Sequence, residues 1–262
     1  MAVPPILDNK HLAAPSVFVP AALMREARRQ KNIKETDVPA VCLLDPDGDL
    51  VRHLRRTGRS KPFAGWPCYH TELDVFSLDG RDVGIVGRAV GASFAVLVAE
   101  ELFAGGCLLL ISLTSSGQIV PSGPPPYFII IDRALRDEGT SYHYAEPSEY
   151  ASACPRLLAT AVDAVKRDGP RMITGATWTT DAPFRETKEA IQAAADKGIL
   201  AVEMEAAALY AFATATNSKV LCLAHVTNTM AQGGADFEKG ENDGTVDALA
   251  VLGAIIGALA EE

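Results

Sequence analysis

The chain has 262 residues, 48% of them hydrophobic and 22% charged, which is apolar material for one sizeable core and suits a single α/β domain better than two small ones. A net charge of −9 and a pI near 5.1 disfavour non-specific binding to a phosphate backbone, although local arginines can still hold a small anion. The five cysteines (Cys42, Cys68, Cys107, Cys154, Cys222) are odd in number and never at CxxC spacing, and the five histidines are scattered; free thiols in a reducing compartment are expected, with no metal site. No basic start leads into a long apolar run and no stretch of 18 apolar residues occurs, so the expected location is the cytoplasm, away from membranes.

Residues 1–37 read as a peripheral N-terminal extension. Pro4, Pro5, Pro15 and Pro20 break the pattern, and only AALMREARRQ (residues 21–30) suggests a short helix. Its basic face suits solvent, an oligomer contact, or phosphate bound by a neighbouring subunit. Residues 38–262 form the expected main domain. VPAVCLLD predicts a short buried strand ending in the turn DPDGD, and LVRHLRR a helix. TELDVFSLDGRDVGIVG predicts two strands joined at Asp79-Gly80, a strong hairpin signal. A glycine-containing loop leads to a helix through AVLVAEELFAGG that stops at Gly105-Gly106. CLLLISLTSSG predicts an apolar strand opening into a small polar loop, and the prolines at 124–126 introduce the strand YFIIIDRAL.

The second half repeats the rhythm: helix CPRLLATAVDAVKRDG, strand RMITGATWTT, helix ETKEAIQAAADKG, a short strand feeding a helix in ILAVEMEAAALYAFATAT, strand KVLCLAHVTN, and a closing helix DGTVDALAVLGAIIGALAEE. Strands that alternate with helices, several of them continuous apolar runs, indicate a mostly parallel sheet covered on both faces. Ligands of such sheets sit beyond the carboxyl ends of the strands.

Four polar segments follow apolar strands and are crevice candidates: DPDGD with Arg52, GRAVGAS with Arg88, SLTSSGQ, and the pair TWTTDAPFRET and AVEMEAA. The hydroxyls and N–H groups of SLTSSG suit phosphate or sugar, or make an ordinary Ser/Gly turn. Glu203 and Glu205 flank Met204 at a strand-to-helix junction. They either favour the helix dipole or bind two neighbouring ribose hydroxyls, with Met204 packed on the sugar. Asp181 is an acid, an orienting group or a helix N-cap. Phe184 and Trp178 suit base stacking or the core, and Arg185 suits a base carbonyl. His143, in RDEGTSYHY, reads as a structural histidine.

Together these segments resemble the nucleoside phosphorylase superfamily, which includes uridine phosphorylase, hexameric purine nucleoside phosphorylase and methylthioadenosine nucleosidase. The resemblance runs from Val38 to the C-terminus, is most specific in VEMEAAALYAFA, and is supported by GIVGRAVGASFAVLVAEELFAGG, ISLTSSGQI, RALRDEGTSYHY and TTDAPFRET in order. It implies a single α/β domain with a distorted, barrel-like central sheet flanked by helices. It also implies a homo-oligomer, dimer to hexamer, with active sites near subunit contacts. The implied reaction is phosphorolysis of a nucleoside, uridine-type favoured, with phosphate as co-substrate and no other cofactor.

By the same resemblance Glu205 and Asn228 are catalytic, and Glu203, Met204, Glu205 and Ser115 hold ribose. The resemblance also puts Ser115 or Ser116 on phosphate and Asn228 at the base; Arg88 and, as an approximate match, Arg52 are the expected phosphate cations, and Phe184, Arg185 and Asp181 the expected base contacts from their place in the candidate segments. Asn228 stands where purine enzymes have a general-acid aspartate and uridine phosphorylases tend to have asparagine. Three departures weaken the expectation of phosphate: Ser112 and Ala64 replace arginines, and the GDPxR loop stands as DPDGDLVR. Unless Arg88, Arg52 or another subunit supplies the cation, water is the expected acceptor and the chain a nucleosidase; a non-catalytic nucleoside binder is the third reading.

Overall fold

The computed structural model describes residues 3–165, 169–230 and 237–259. Pro20 opens helix α1 (Pro20–Lys31), a first-turn position that needs no N–H, and Asn32 ends it in the left-handed conformation. Met24 and Ala27 are its buried residues, while Arg25, Arg29 and Lys31 stay outside.

Strand β1 (Val41–Asp45) runs into the DPDGD turn, and helix α2 (Asp49–Arg56) starts directly after it. Short β2 (Ser60–Pro62) pairs with β3 (Asp74–Leu78), which turns at Asp79-Gly80 into β4 (Arg81–Gly87); both turn residues have positive φ, as the hairpin signal requires. Helix α3 (Ala92–Ala104) follows, and α1 docks on it. Then come β5 (Leu109–Gln118), β6 (Tyr127–Asp137), β7 (Tyr150–Ser152), α4 (Pro155–Ala164), β8 (Met172–Thr180), α5 (Lys188–Asp196), β9 (Ala201–Glu203), α6 (Ala206–Thr216), β10 (Lys219–Thr229) and α7 (Thr245–Leu259).

The strands lie in the order β10-β6-β8-β9-β5-β1-β4-β3-β2, and β5 also pairs with β10, so five strands close into a ring. Pairings β1–β4, β1–β5, β5–β10, β6–β8 and β8–β9 are parallel; β6–β10, β5–β9 and the β2–β3–β4 meander are antiparallel. The architecture is thus a mixed, barrel-like sheet flanked by helices.

Alternation along the strands divides the core. Cys42, Leu44, Ile129 and Ile131 face α3 and α6, while Leu43, Phe128 and Ile130 face α2, α4 and α7. Both faces are covered, which is why these strands read as continuous apolar runs. No helix among the described residues is long and apolar enough to cross a membrane.

SLTSSGQ departs from its reading as a loop. The whole segment is strand, because β10 follows β5 in parallel from Leu109 to Gln118 while β9 takes Gly117 and Gln118 on the other side. A register shift between Val226 and Asn228 puts a bulge in β10 next to Gly117, and such bulges re-aim the side chains beside them.

Candidate active site

The carboxyl ends of β1, β4, β5, β8, β9 and β10 converge on a group of acids. Glu203, the last residue of β9, is buried, and its oxygens accept four internal donors. The hydroxyls of Thr177 and Thr179 reach it from β8, and the N–H groups of Glu205 and Ala206 reach it from the start of α6, both at 2.7 Å. Glu205 is as deeply buried but differently satisfied. Gly91 N–H donates to its Oε1 at 2.7 Å, and its Oε2 has no hydrogen-bond partner among the described residues. Burial, then the neighbouring Glu203 carboxylate, push Glu205 up to about 8, with the Gly91 N–H and Thr114 hydroxyl partly offsetting them. Glu205 therefore keeps its proton at neutral pH, and a neutral carboxyl both donates and accepts. Buried polar atoms are normally paired, so the open oxygen marks a place for a ligand hydroxyl.

A second feature lies where β1, β5 and β10 end. Asp47 Oδ2 accepts the Ser115 N–H at 2.7 Å. Beside it is a cavity of about 20 Å³ walled by Asp45, Asp47, Asp49, Ser115, His225 and Thr245. His225 pairs in register with Ser115 and stacks on Phe128, ring centroids 4.6 Å apart. Burial lowers it to about 4, so it is neutral at pH 7. Burial raises Asp45 to about 7, and both its oxygens accept N–H groups, from Gly48 at 3.2 Å and Val51 at 2.9 Å. Asp49 is shared by Lys239, at 2.5 Å, and Arg52; Arg52 also lies 3.6 Å from Asp243. Of these four aspartates only Asp47 is neither buried nor within ion-pair range of a cation among the described residues. Among the described residues, no group of three or more side chains could hold a metal ion.

The sequence profile of the phosphorylase superfamily matches residues 40–257. The chain belongs to the phosphorylase superfamily. A guanosine phosphorylase of Halorubrum lacusprofundi is 26% identical over 165 residues, 62% of this chain and 68% of the relative. The DeoD-type purine nucleoside phosphorylase of Roseobacter denitrificans is 30% identical over 158 residues, 60% of this chain and 68% of the relative. That of Caldanaerobacter subterraneus is 28% identical over 208 residues, 77% and 88%. These nucleoside phosphorylase relatives indicate an enzyme. Among solved structures, a uridine phosphorylase from Vibrio fischeri ES114 superposes with a TM-score of 0.73 at 19% identity, covering 89% of this chain and 99% of its own, which shows the shared fold.

Within the superfamily fold the residues anticipated from sequence fall into two sets. Glu203, Met204, Glu205, Ser115, Ser116 and Asn228 all sit at the carboxyl ends of β5, β9 and β10. Met204 is half-buried, the Ser116 hydroxyl is buried and unpartnered among the described residues, and Asn228 stands level with Gly117 and Val202 across the sheet. Asp181, Phe184 and Arg185 are exposed on the segment that follows β8. Asp181 accepts the Gly139 N–H at 2.9 Å while Thr187 caps α5, and the Phe184 side chain is 99% exposed. Trp178 is core, its indole N–H donating to Asp137. Arg52 is committed to acids; Arg88, exposed and with φ +67°, has no ion pair among the described residues.

Sequence reading missed Gly91, Asp47 and His225 as site residues. Asp47 and Gly91 lie in two of the crevice segments, DPDGD and GRAVGAS, but a lone histidine in an apolar strand such as KVLCLAHVTN carries no local signal.

Proposed function

We propose that this protein hydrolyses the N-glycosidic bond of a nucleoside, with water in place of phosphate as the ribosyl acceptor. The carrying observation is Asp47. Its carboxylate occupies the Ser115 N–H, a donor an anion would need, and the adjoining cavity of about 20 Å³ is large enough for a water. An unpaired carboxylate there also repels a phosphate dianion. A nucleoside substrate is supported by the names of the relatives, which act on guanosine and purine nucleosides.

In this reading Glu205 binds the ribose hydroxyls through its open Oε2, Met204 packs under the sugar, and Glu203 holds Glu205 in place. Asp47 Oδ1 takes a proton from water as the water oxygen bonds to C1′. The C1′–N bond breaks with its electron pair passing to the base, which Asn228 steadies by donating a hydrogen bond. An amide donates without giving up its proton, so bases whose own anion is tolerable, uracil-like ones, leave most readily. No cofactor takes part.

Arg88 favours a second reading, phosphorolysis, because it is a cation without an acid partner among the described residues. The test is base release from a panel of nucleosides with and without inorganic phosphate, with the sugar product identified. Free ribose formed equally in both conditions supports hydrolysis; ribose 1-phosphate formed only with phosphate overturns it.

A further inference from the structure

Between α2, the 68–72 segment and the start of α3 lies a cleft of about 670 Å³. Lys31, Arg52, Arg55, Arg88 and His70 line it against one carboxylate, Glu72. In a chain of net charge −9 this is a local reversal of sign. Two of the cations are spent: Arg55 on Asp74 and Glu72, at 2.6 and 2.8 Å, and Arg52 on Asp49 and Asp243. Lys31 donates to the carbonyls of Pro67 and Cys68 and lies over the Tyr69 ring, with no carboxylate in ion-pair range among the described residues. Arg88 is likewise without one.

Arg88 is also held in an unusual way. Its φ of +67° is a left-handed conformation that non-glycine residues rarely adopt, fixed by its N–H donating to the Asp45 carbonyl at 2.9 Å. Gly48 makes room for its stem: a Cβ there would lie 3.0 Å from Arg88 Cγ. The same loop carries Gly91, whose N–H holds Glu205. Three residues of chain span at most about 10 Å, so the backbone that carries Arg88 lies within that distance of the Gly91 N–H that holds Glu205.

We infer that this cleft takes a phosphate monoester carried by the substrate, and that the preferred substrate is a nucleoside 5′-monophosphate with Arg88 as the principal cation. A guanidinium fork suits a phosphate dianion, and the cleft falls within the roughly 300–1,000 Å³ of small-molecule sites. The inference rests on the reading of Glu205 as the ribose contact.

The experiment compares wild type, Arg88→Gln and Arg88→Lys. Base release from uridine, inosine and adenosine and from their 5′-monophosphates is measured with and without inorganic phosphate, and calorimetry follows binding of the same compounds. The expected result is a kcat/KM at least ~10-fold higher for a monophosphate than for its nucleoside. That ratio collapses in Arg88→Gln and is partly restored in Arg88→Lys, and inorganic phosphate inhibits rather than stimulates. Equal kcat/KM values, or a ratio unmoved by Arg88→Gln, overturn the inference. Stimulation of nucleoside cleavage by inorganic phosphate, lost in Arg88→Gln, gives the cation to a free co-substrate and overturns both this inference and the hydrolytic reading. Where no compound releases base, tighter monophosphate binding that Arg88→Gln abolishes retains the cleft and removes only the chemistry; no such preference overturns the cleft as well.

Discussion

The Glu205 backbone N–H donates to Glu203 Oε2 at 2.7 Å, and this bond divides the labour between two carboxylates separated by one residue. Glu203 spends its acceptors inward, on Thr177, Thr179 and the first N–H groups of α6. Glu205 is left with one buried oxygen facing no protein donor among the described residues. The motif thus contains one positioning residue and one binding residue.

Glu203→Gln should destabilise the fold. An amide has one acceptor oxygen where the carboxylate has two, so either the Thr177 and Thr179 hydroxyls or the N–H groups of Glu205 and Ala206 face an NH2 in place of an acceptor, at a cost on the order of 1–3 kcal/mol. Urea unfolding should show a lower midpoint with an unchanged slope. A wild-type midpoint would mean that the second carboxylate oxygen of Glu203 adds nothing to stability.

Glu205→Gln should behave oppositely. Its carboxyl is raised to about 8 from an ordinary 4.5, so between those pH values the folded chain holds a proton that the unfolded chain has lost. Its contribution to stability is therefore complete below about 4.5 and is lost as pH rises through about 8. Asp45, raised to about 7, adds a slope of the same sign in both proteins. Relative to Glu205→Gln, wild type should lose stability on the order of a few kcal/mol between pH 5 and pH 9. Base release by the variant should fall about 100-fold or more. Parallel pH–stability curves for the two proteins would reject the buried, proton-holding carboxyl.

Asp47→Asn keeps an oxygen for the Ser115 N–H and removes the charge. Because Asp47 is exposed, the melting temperature should hardly move. The loss should fall on kcat rather than KM, by about 10²-fold or more, as for removal of a general base. A variant as fast as wild type would exclude Asp47 from activating the water.

Asn228→Asp should change the pattern of bases. A carboxyl can pass a proton to a leaving purine as the amide cannot, so purine cleavage should appear or increase, and should rise as pH falls. The assay is kcat/KM for inosine and uridine between pH 5 and pH 8. An unchanged purine-to-pyrimidine ratio at every pH would place Asn228 away from the leaving base.

The Asp79-Gly80 hairpin, the helix stop at Gly105-Gly106 and the continuous apolar strands were written in local chemistry: residues tolerant of positive φ, and side chains buried on both faces. VEMEAAA likewise announced a strand-to-helix junction bearing acids. Three things depended on contacts between distant segments. SLTSSGQ became strand because β10 and β9 supply its backbone partners from residues 201–229. Glu203 and Glu205 took different roles because Thr177, Thr179 and Gly91 reach one oxygen set and not the other. Asp47 and His225 met at Ser115 although 178 positions separate them, and that meeting sets the charge and size of the cavity. Sequence carries propensity and periodicity, which are local; a site's electrostatics are sums over neighbours in space, and only the closed sheet decides who those neighbours are.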